Sequence, residues 1–205
     1  MDKNRTEAFS DGVFAVAITL LVLDVNVAGP GHGSLAHQLW TIWPSYAAYA
    51  VSFLVIGIIW VNHHTLMSRL AKIDRTLLFL NLSLLAFVTA IPFPTRLVAE
   101  YLRAGGWNAN VAAAVYSGVM MGMGFAFLAI HAWAGRHYEL LDESVDPVAH
   151  RAATRSFGIG ATIYPVILGV AFVSAAAAMI AHFVVAGLYV FDRTGPVAPS
   201  SDSIG

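Results

Sequence analysis

Long apolar stretches alternate with short polar segments along the chain. Six stretches are long enough to cross about 30 Å of hydrocarbon, a distance that takes roughly 20 helical residues. They span residues 9–27, 46–65, 77–97, 109–134, 158–174 and 175–191. The pattern predicts an all-α fold, that of a polytopic membrane protein with six transmembrane helices in each subunit.

The boundary between the fifth and sixth predicted spans is the least marked. About 40 apolar residues run together there, more than one span requires, and Ser174 is the candidate break. One bent helix is the alternative, although the run is too long for a single crossing of the membrane.

Composition supports a membrane location. Of 205 residues, 58% are hydrophobic and 11% are charged, and the mean hydropathy of +0.70 exceeds that of soluble globular domains. The net charge of −1 includes no long basic run, so nucleic acid is not an expected partner. Because the chain has no Cys, disulfides and thiolate metal sites are excluded.

Lys and Arg fall mostly on one side of the predicted membrane. Nine lie before the first span, after the second, after the fourth and after the sixth, whereas only Arg96 and Arg103 lie on the other side. By the positive-inside rule, both termini are cytoplasmic. Glu7 and Asp11 argue against a cleaved signal peptide. Residues 1–193 are predicted to form a single transmembrane domain, and residues 194–205, rich in Pro and Ser, a disordered tail.

Ionisable groups within membrane spans are costly, so they are candidates for function. Here they are Asp11, Asp24, His63, His64, Arg96, Glu100, His131 and His182. Asp24, Arg96 and Glu100 lie near predicted span ends, where a charged side chain reaches water without any functional role.

Two polar clusters lie at the same predicted depth. One begins the first span and contains Arg5, Ser10 and Asp11; the other ends the second span and contains Trp60, Asn62, His63 and His64. We expect Arg5 or a histidine to neutralise Asp11. We also expect Ser10 and Asn62 to satisfy the remaining polar groups. Such a network would join the two helices and cap the first turn of the first helix.

The adjacent residues His63 and His64 are not an expected metal site. Consecutive helical residues point about 100° apart, and no acidic residue follows at HExxH spacing. We therefore expect neither a metal nor a cofactor.

An apolar stripe runs along the first predicted helix. Val16, Leu20 and Leu23 follow one another at steps of four and three residues, so they share one face. Thr19 borders this stripe. Spacing alone is typical of a packing seam and does not by itself predict a pore.

The polar residues at the start of this helix carry a specific resemblance. The motif Arg5-x-x-x-Phe9-Ser10-Asp11 resembles the RxxxFSD signature of the transmembrane protein 175 family of potassium channels. Trp60-x-x-x-His64 resembles the Trp and His partners of that signature. The length, the six spans and the cytoplasmic termini are similar to those of prokaryotic members of the family.

The resemblance implies a homotetramer in the lipid bilayer of a prokaryotic cell (plasma) membrane. Potassium ions would pass through a central pore lined by the first helix of each subunit. Constriction layers would lie at Val16, Leu20 and Leu23, forming a hydrophobic gate, and the Thr19 hydroxyl would face the pore. The signature residues would orient the pore helix. Such channels lack a TVGYG carbonyl filter, and this sequence contains none.

Two other classes of function are compared with a channel. A proton-coupled secondary transporter would need a relay through Asp11, His64 and His131 near the bilayer midplane, whereas most ionisable groups here lie near span ends. An enzyme is disfavoured because the spans contain no paired carboxylates, HExxH motif or nucleophile constellation.

Overall fold

The computed structural model describes residues 2–191, and every regular element in that range is helical. Two short 3₁₀ turns, Leu21–Asp24 and Tyr138–Leu140, accompany the α-helices. In chain order the α-helices are α1 Lys3–Leu20, α2 Leu35–Thr41, α3 Trp43–Ser68, α4 Arg75–Ala90, α5 Pro92–Tyr101, α6 Gly106–Ala134, α7 Pro147–Ala171 and α8 Ala175–Phe191. The tail predicted at residues 194–205 lies outside the described residues.

The predicted membrane spans correspond to these helices. Within residues 2–191, four helical stretches are long and apolar enough to cross a membrane: Lys3–Asp24, Trp43–Ser68, Arg75–Tyr101 and Gly106–Ala134. Two shorter apolar stretches, Ala161–Ala171 and Ala175–Leu188, fall in the fifth and sixth predicted spans. The protein is therefore a multi-pass membrane protein, while the count of six spans stays a prediction.

The first helix extends beyond the predicted span at its N-terminal end. Its N-cap is Asp2, whose carboxylate accepts a hydrogen bond from the Asn4 backbone N–H at 3.0 Å. Asp11 lies two turns further along, so the expectation that its cluster caps the first turn was wrong. The apolar run marks the part of a helix that suits hydrocarbon, whereas the cap marks where the helix begins.

The third predicted span is two helices, α4 and α5, joined at Ile91. Pro92 begins α5, where its missing N–H costs little because the first helical turn leaves its N–H groups without helical partners. Hydropathy does not register this break because Pro interrupts an apolar run without adding charge.

The fifth and sixth predicted spans are likewise two separate helices. α7 ends at Ala171 and α8 begins at Ala175, so the predicted boundary at Ser174 is confirmed and the single bent helix was wrong. The Ser174 hydroxyl accepts from the Ala177 backbone N–H at 3.3 Å, which is the geometry of an N-cap. The Asn110 side chain of α6 hydrogen-bonds the backbone on both sides of this break. It donates to the Phe172 carbonyl and accepts from the Ala175 N–H.

The helices pack around α6, which lies against α4, α5, α7 and α8. On the opposite side of the bundle, α1 packs against α3 and α4. Small residues bring α6, α7 and α8 close together in a second cluster that includes Ala109, Ala113, Ala171, Ala175 and Ala178. α1 thus packs against α3 and α4 rather than around α6.

Two loops pair at the end of the bundle that contains Lys3. The Ala71 N–H donates to the Leu140 carbonyl and the Asp142 N–H donates to the Arg69 carbonyl, both at 2.9 Å. Side-chain and backbone hydrogen bonds from Ser144 hold the pKa of Asp142 below its ordinary value, and the nearby Lys3 charge acts in the same direction. This pairing joins the loop after α3 to the loop after α6.

Candidate pore helix and its polar contacts

The apolar stripe of α1 is uncovered by the rest of the chain. Val16 is 55% exposed, Leu20 41% and Leu23 68%, whereas Phe14 and Ala17, which face the bundle, are 1% and 0% exposed. An apolar face of this kind in a membrane protein meets either lipid, another chain or a pore. The stripe predicted from spacing therefore exists as a surface of the folded chain.

The stripe continues past the end of α1 into a 3₁₀ turn. Leu20 is the last residue of α1 and Leu23 lies in the 3₁₀ turn Leu21–Asp24. A 3₁₀ turn has 3.0 residues per turn, so side chains three positions apart eclipse one another. This spacing places Leu23 on the same side as Leu20. Thr19 is exposed, and its hydroxyl donates to the Val16 carbonyl at 2.9 Å.

On its packed side, α1 is tied to α4 through Ser10. The Ser10 hydroxyl accepts from Asn81 Nδ2 at 3.0 Å and donates to the Thr6 carbonyl at 2.8 Å. Asn81 Oδ1 is 2.8 Å from His63 Nε2 on α3. Because an amide oxygen only accepts, His63 Nε2 carries the proton. Ser10, His63 and Asn81 are each at most 1% exposed.

A second contact ties α1 to α3 through Asp11. Trp60 Nε1 donates to Asp11 Oδ1 at 2.8 Å. Asp11 is therefore held by an indole N–H, so the expectation of Arg5 or a histidine as its partner was wrong. Ser10 satisfies a polar group, as expected, and its partner is Asn81 of α4. The motif residues are nonetheless brought together across the same two helices that the sequence predicted.

Two signature residues lie on the uncovered face. Phe9 is 57% exposed and Arg5 is also exposed. Both line a cavity against Leu78 and Leu82 of α4. Among residues 2–191, no hydrogen bond or ion pair of the Arg5 guanidinium is found. The structure thus separates the signature into Ser10 and Asp11, which bind neighbouring helices, and Arg5 and Phe9, which do not.

These contacts define how α1 is rotated. Consecutive helical residues point about 100° apart, so Ser10 and Asp11 reach two different neighbours, α4 and α3. The stripe lies on the exposed side of the helix, whereas Ser10 is buried against the bundle. Hydrogen bonds at two angular positions thereby fix which side chains α1 presents outward.

His64 makes a contact that the sequence did not suggest. Its Nδ1 is 2.9 Å from Glu7 Oε1, and its ring stacks on Trp60 with centroids 6.3 Å apart. His63 and His64 therefore point to different partners, as their adjacency predicted. No group of three or more His, Cys, Asp or Glu side chains among the described residues could hold a metal ion.

The other ionisable groups lie away from the signature contacts. Arg96 Nε donates to Glu100 Oε1 at 2.8 Å, and the pair lines an outer cavity together with Asp24. His182 is 3% exposed and its Nε2 is 3.0 Å from the Ser117 hydroxyl. His131 Nδ1 is 3.1 Å from the Phe127 carbonyl of its own helix.

Asn81 and Glu7 were missed by the sequence reasoning. Asn81 lies near the start of an apolar span, and an amide there must find partners within the bundle. A search for all polar residues in the spans, not only ionisable ones, would have found it. Glu7 lies one turn before Asp11, a spacing that places both carboxylates on one side of α1.

Comparison with known proteins matches the N-terminal half to a family of channels. Residues 5–92 match the model of a family described as endosomal/lysosomal potassium channel TMEM175. This match contains α1, α3 and α4, and thus every residue of the signature contacts described above.

Similar proteins extend the match to almost the whole chain. A potassium channel of Streptomyces collinus is 51% identical over 94% of this chain and 93% of its own. A potassium channel of Chamaesiphon minutus is 40% identical over 84% of this chain and 86% of its own. The endosomal/lysosomal proton channel TMEM175 of Gallus gallus is 41% identical, but over only 49% of this chain and 22% of its own.

The fold is also that of a solved structure. The crystal structure of a lysosomal potassium-selective channel TMEM175 homologue from Chamaesiphon minutus superposes with a TM-score of 0.83 and 36% identity. The superposition covers 94% of this chain and 98% of that chain. The identity over nearly full length, together with the matched signature residues, shows that this chain belongs to the TMEM175 family of ion channels.

Proposed function

We propose that this protein is a potassium-selective channel in which the first helices of four subunits surround one pore. The observation that carries the proposal is the stripe of Val16, Leu20 and Leu23, which the rest of the chain leaves uncovered. The full-length similarity to bacterial proteins named potassium channels supports the choice of ion.

The constriction acts through dehydration. Four apolar side chains around an axis narrow a pore until water leaves, so a cation crosses only when the ring widens or the ion loses part of its shell. Potassium holds its shell less tightly than sodium, so the barrier is lower for potassium. The sequence has no TVGYG filter, so selectivity rests on these rings. Thr19, beside the stripe, offers one hydroxyl per subunit.

The signature contacts orient the pore helix. Asn81 bonds Ser10 and Trp60 bonds Asp11, so a rotation of α1 must break one or both hydrogen bonds. His64 supports Trp60 by stacking against it. Arg5 and Phe9 lie on the uncovered face and meet the neighbouring subunit or the pore entrance.

The assembled protein has a defined placement in the membrane. We place it in the cell membrane of a prokaryote as a homotetramer of six-span subunits. Both termini face the cytoplasm, because the loops at the end containing Lys3 carry nine of the eleven Lys and Arg residues.

The proposal is tested by bi-ionic reversal potentials of purified protein in a planar bilayer, with potassium on one side and sodium on the other. The wild-type reversal potential is expected to shift toward the potassium equilibrium potential. Leu20→Ser and Leu23→Ser should raise conductance and reduce the potassium preference, because a polar ring retains water.

Leu188→Ser is the matched control. Leu188 is 62% exposed on α8, away from the stripe, and this change should leave the permeability ratio as in wild type. A permeability ratio unaltered by Leu20→Ser and Leu23→Ser would contradict a pore-lining role. Substrate-coupled proton uptake without unitary currents would instead indicate a transporter.

A further inference from the structure

The contact between Trp60 and Asp11 has a counterpart between α6 and α4. Trp133 Nε1 of α6 donates to Asp74 Oδ2, at the start of α4, at 3.0 Å. The ring of His137, four residues after Trp133, stacks on the indole with centroids 4.1 Å apart. The spacing Trp-x-x-x-His therefore occurs twice in the chain, and both times the Trp binds a carboxylate at a neighbouring helix.

Asp74 uses its two carboxylate oxygens for two different contacts. Oδ1 accepts from the Leu77 backbone N–H at 2.7 Å, which caps the first turn of α4. Oδ2 accepts from Trp133. The side chain that begins α4 therefore also joins this end of the helix to α6. An amide in its place would have one oxygen and could make only one of these contacts.

The paired loops lie beside this contact. The Ala71 N–H, three residues before Asp74, donates to the Leu140 carbonyl at 2.9 Å. Four apolar side chains of these loops are buried, namely Leu70, Ile73, Leu140 and Leu141. Asp74 and Trp133 are themselves half-buried, so water competes less for their hydrogen bond than at an open surface. The start of α4 is thus held by a packed surface and by a bond between side chains.

We propose that the bond from Trp133 to Asp74 sets the rotation of the pore helix by positioning α4. Asn81 lies seven residues after Asp74, about 10 Å along the helix at a rise of about 1.5 Å per residue. Its amide donates to the Ser10 hydroxyl of α1 at 3.0 Å. Because a regular helix moves as one body over two turns, a shift at Asp74 displaces the partner of Ser10.

Two Trp contacts and one amide contact then define the position of α1. Trp60 holds α1 against α3, Trp133 holds α4 against α6, and Asn81 joins α1 to α4. The inference rests on the proposed function, because a rotation of α1 changes ion selection only if α1 lines the pore. Trp133 and Asp74 are positioning residues, since they touch no ion and act through Asn81.

The test measures bi-ionic reversal potentials of the reconstituted full chain, with potassium on one side and sodium on the other. Trp133→Phe keeps a ring against His137 but removes the indole N–H, and Asp74→Asn keeps the cap of α4 but loses the second oxygen. Each should lower the ratio of potassium to sodium permeability about threefold, within the range for loss of one hydrogen bond. The double variant should be no lower than either single variant, because both remove the same bond.

Ser10→Ala tests whether the effect passes through α4. This variant removes the hydroxyl that Asn81 binds, so adding Trp133→Phe to it should lower the permeability ratio no further. A lower melting temperature without any change of the ratio in Trp133→Phe and Asp74→Asn would assign the bond to stability alone and overturn the inference. A further fall of the ratio when Trp133→Phe is added to Ser10→Ala would also overturn it.

Trp107→Phe is the matched control. Trp107 lies at the opposite end of α6 and is 64% exposed. The same substitution there removes an indole N–H from the same helix without reaching Asp74. The permeability ratio of this variant should equal that of wild type. An equal fall of the ratio in Trp107→Phe and Trp133→Phe would contradict a specific role of the bond to Asp74.

A second measurement does not depend on ion currents. The chain has no Cys, so Ala17→Cys supplies one thiol on the packed face of α1, where Ala17 is 0% exposed. N-ethylmaleimide should label this thiol in detergent about threefold faster when Trp133→Phe is present, because a rotated α1 uncovers it. Ala178→Cys, equally buried on α8, should be labelled at the same rate with and without Trp133→Phe.

The positioning role and the channel can fail separately. Faster labelling of Ala17→Cys in folded protein that carries no current would refute the channel and keep the positioning role of Trp133. Potassium-selective currents with an unchanged permeability ratio and an unchanged labelling rate would refute the positioning role and keep the channel.

Discussion

Asn81 is a buried side chain that joins three helices. Its amide donates to Ser10 on α1 and accepts from His63 on α3, and it is 1% exposed. Within the described part of the chain, His63 Nδ1 has no hydrogen-bond partner, so the ring is held through Nε2 alone. Loss of the Asn81 side chain would therefore leave the His63 ring without a hydrogen bond among the described residues.

Asn81→Leu should destabilise the protein because it leaves the buried His63 Nε2–H without an acceptor. An unsatisfied buried donor costs about 1–3 kcal/mol. The melting temperature of detergent-solubilised protein should fall clearly below that of wild type. Ser83→Ala is the control, since the exposed Ser83 hydroxyl bonds only the Phe79 carbonyl of its own helix. Equal melting temperatures for both variants would contradict the role of Asn81.

For individual residues, the sequence predicted which side chains take part in the polar contacts better than it predicted their hydrogen-bond partners. Helical spacing and depth brought Ser10 and Asp11 to the level of Trp60 and His64, and the structure places them there. Spacing does not fix which neighbouring helix faces a given side chain. The predicted network joined α1 to the second span only, whereas Ser10 bonds Asn81 of α4.

The helices themselves follow from hydropathy, while their ends follow from local chemistry. The spans of α3 and α6 are close to those predicted, because apolar runs with charged ends match the thickness of hydrocarbon. The early start of α1 at Lys3 and the break before Pro92 depend on a capping carboxylate and on a missing N–H. Hydropathy measures neither property.

The turn between α7 and α8 should depend on Asn110. Its Nδ2 donates to the Phe172 carbonyl at 3.1 Å and its Oδ1 accepts from the Ala175 N–H at 3.0 Å. Asn110→Ala removes both bonds, so hydrogen exchange of the first amides of α8 should accelerate about tenfold, as expected for a loss of about 1.4 kcal/mol. Asn108→Ala, an exposed position on the same helix, should leave the exchange rates as in wild type.

Exchange at the start of α8 that is equally fast in wild type and Asn110→Ala would show that the Ser174 cap alone holds the turn. In that case the boundary would still lie where the apolar run suggested, and its cause would be the serine hydroxyl.

At the scale of the whole molecule, the proposed assembly brings the first helices of several subunits together. The chain has no Cys, so a single introduced thiol reports on one position only. Leu23→Cys should cross-link subunits under mild oxidant, because in the proposed tetramer four copies of the stripe converge on one axis. Leu188→Cys on the exposed face of α8 should remain uncross-linked.

The measurement is the dimer band on a non-reducing gel of protein oxidised in the membrane. A Leu23→Cys band no stronger than that of Leu188→Cys would contradict convergence of the first helices. Sequence spacing could identify the stripe but not its partner, because lipid and a second subunit select the same apolar side chains.

The pairing of the two loops also has a consequence for the order of synthesis. The hydrogen bonds of Ser10, Asn81 and His63 need only the first part of the chain, whereas the Ala71 bond needs Leu140, which follows α6. Chains fold from the N-terminus as they leave the ribosome. A ribosome stalled after α5 would therefore hold a first helix already set in its rotation, and translation past Leu140 would then fix the loop that follows α3.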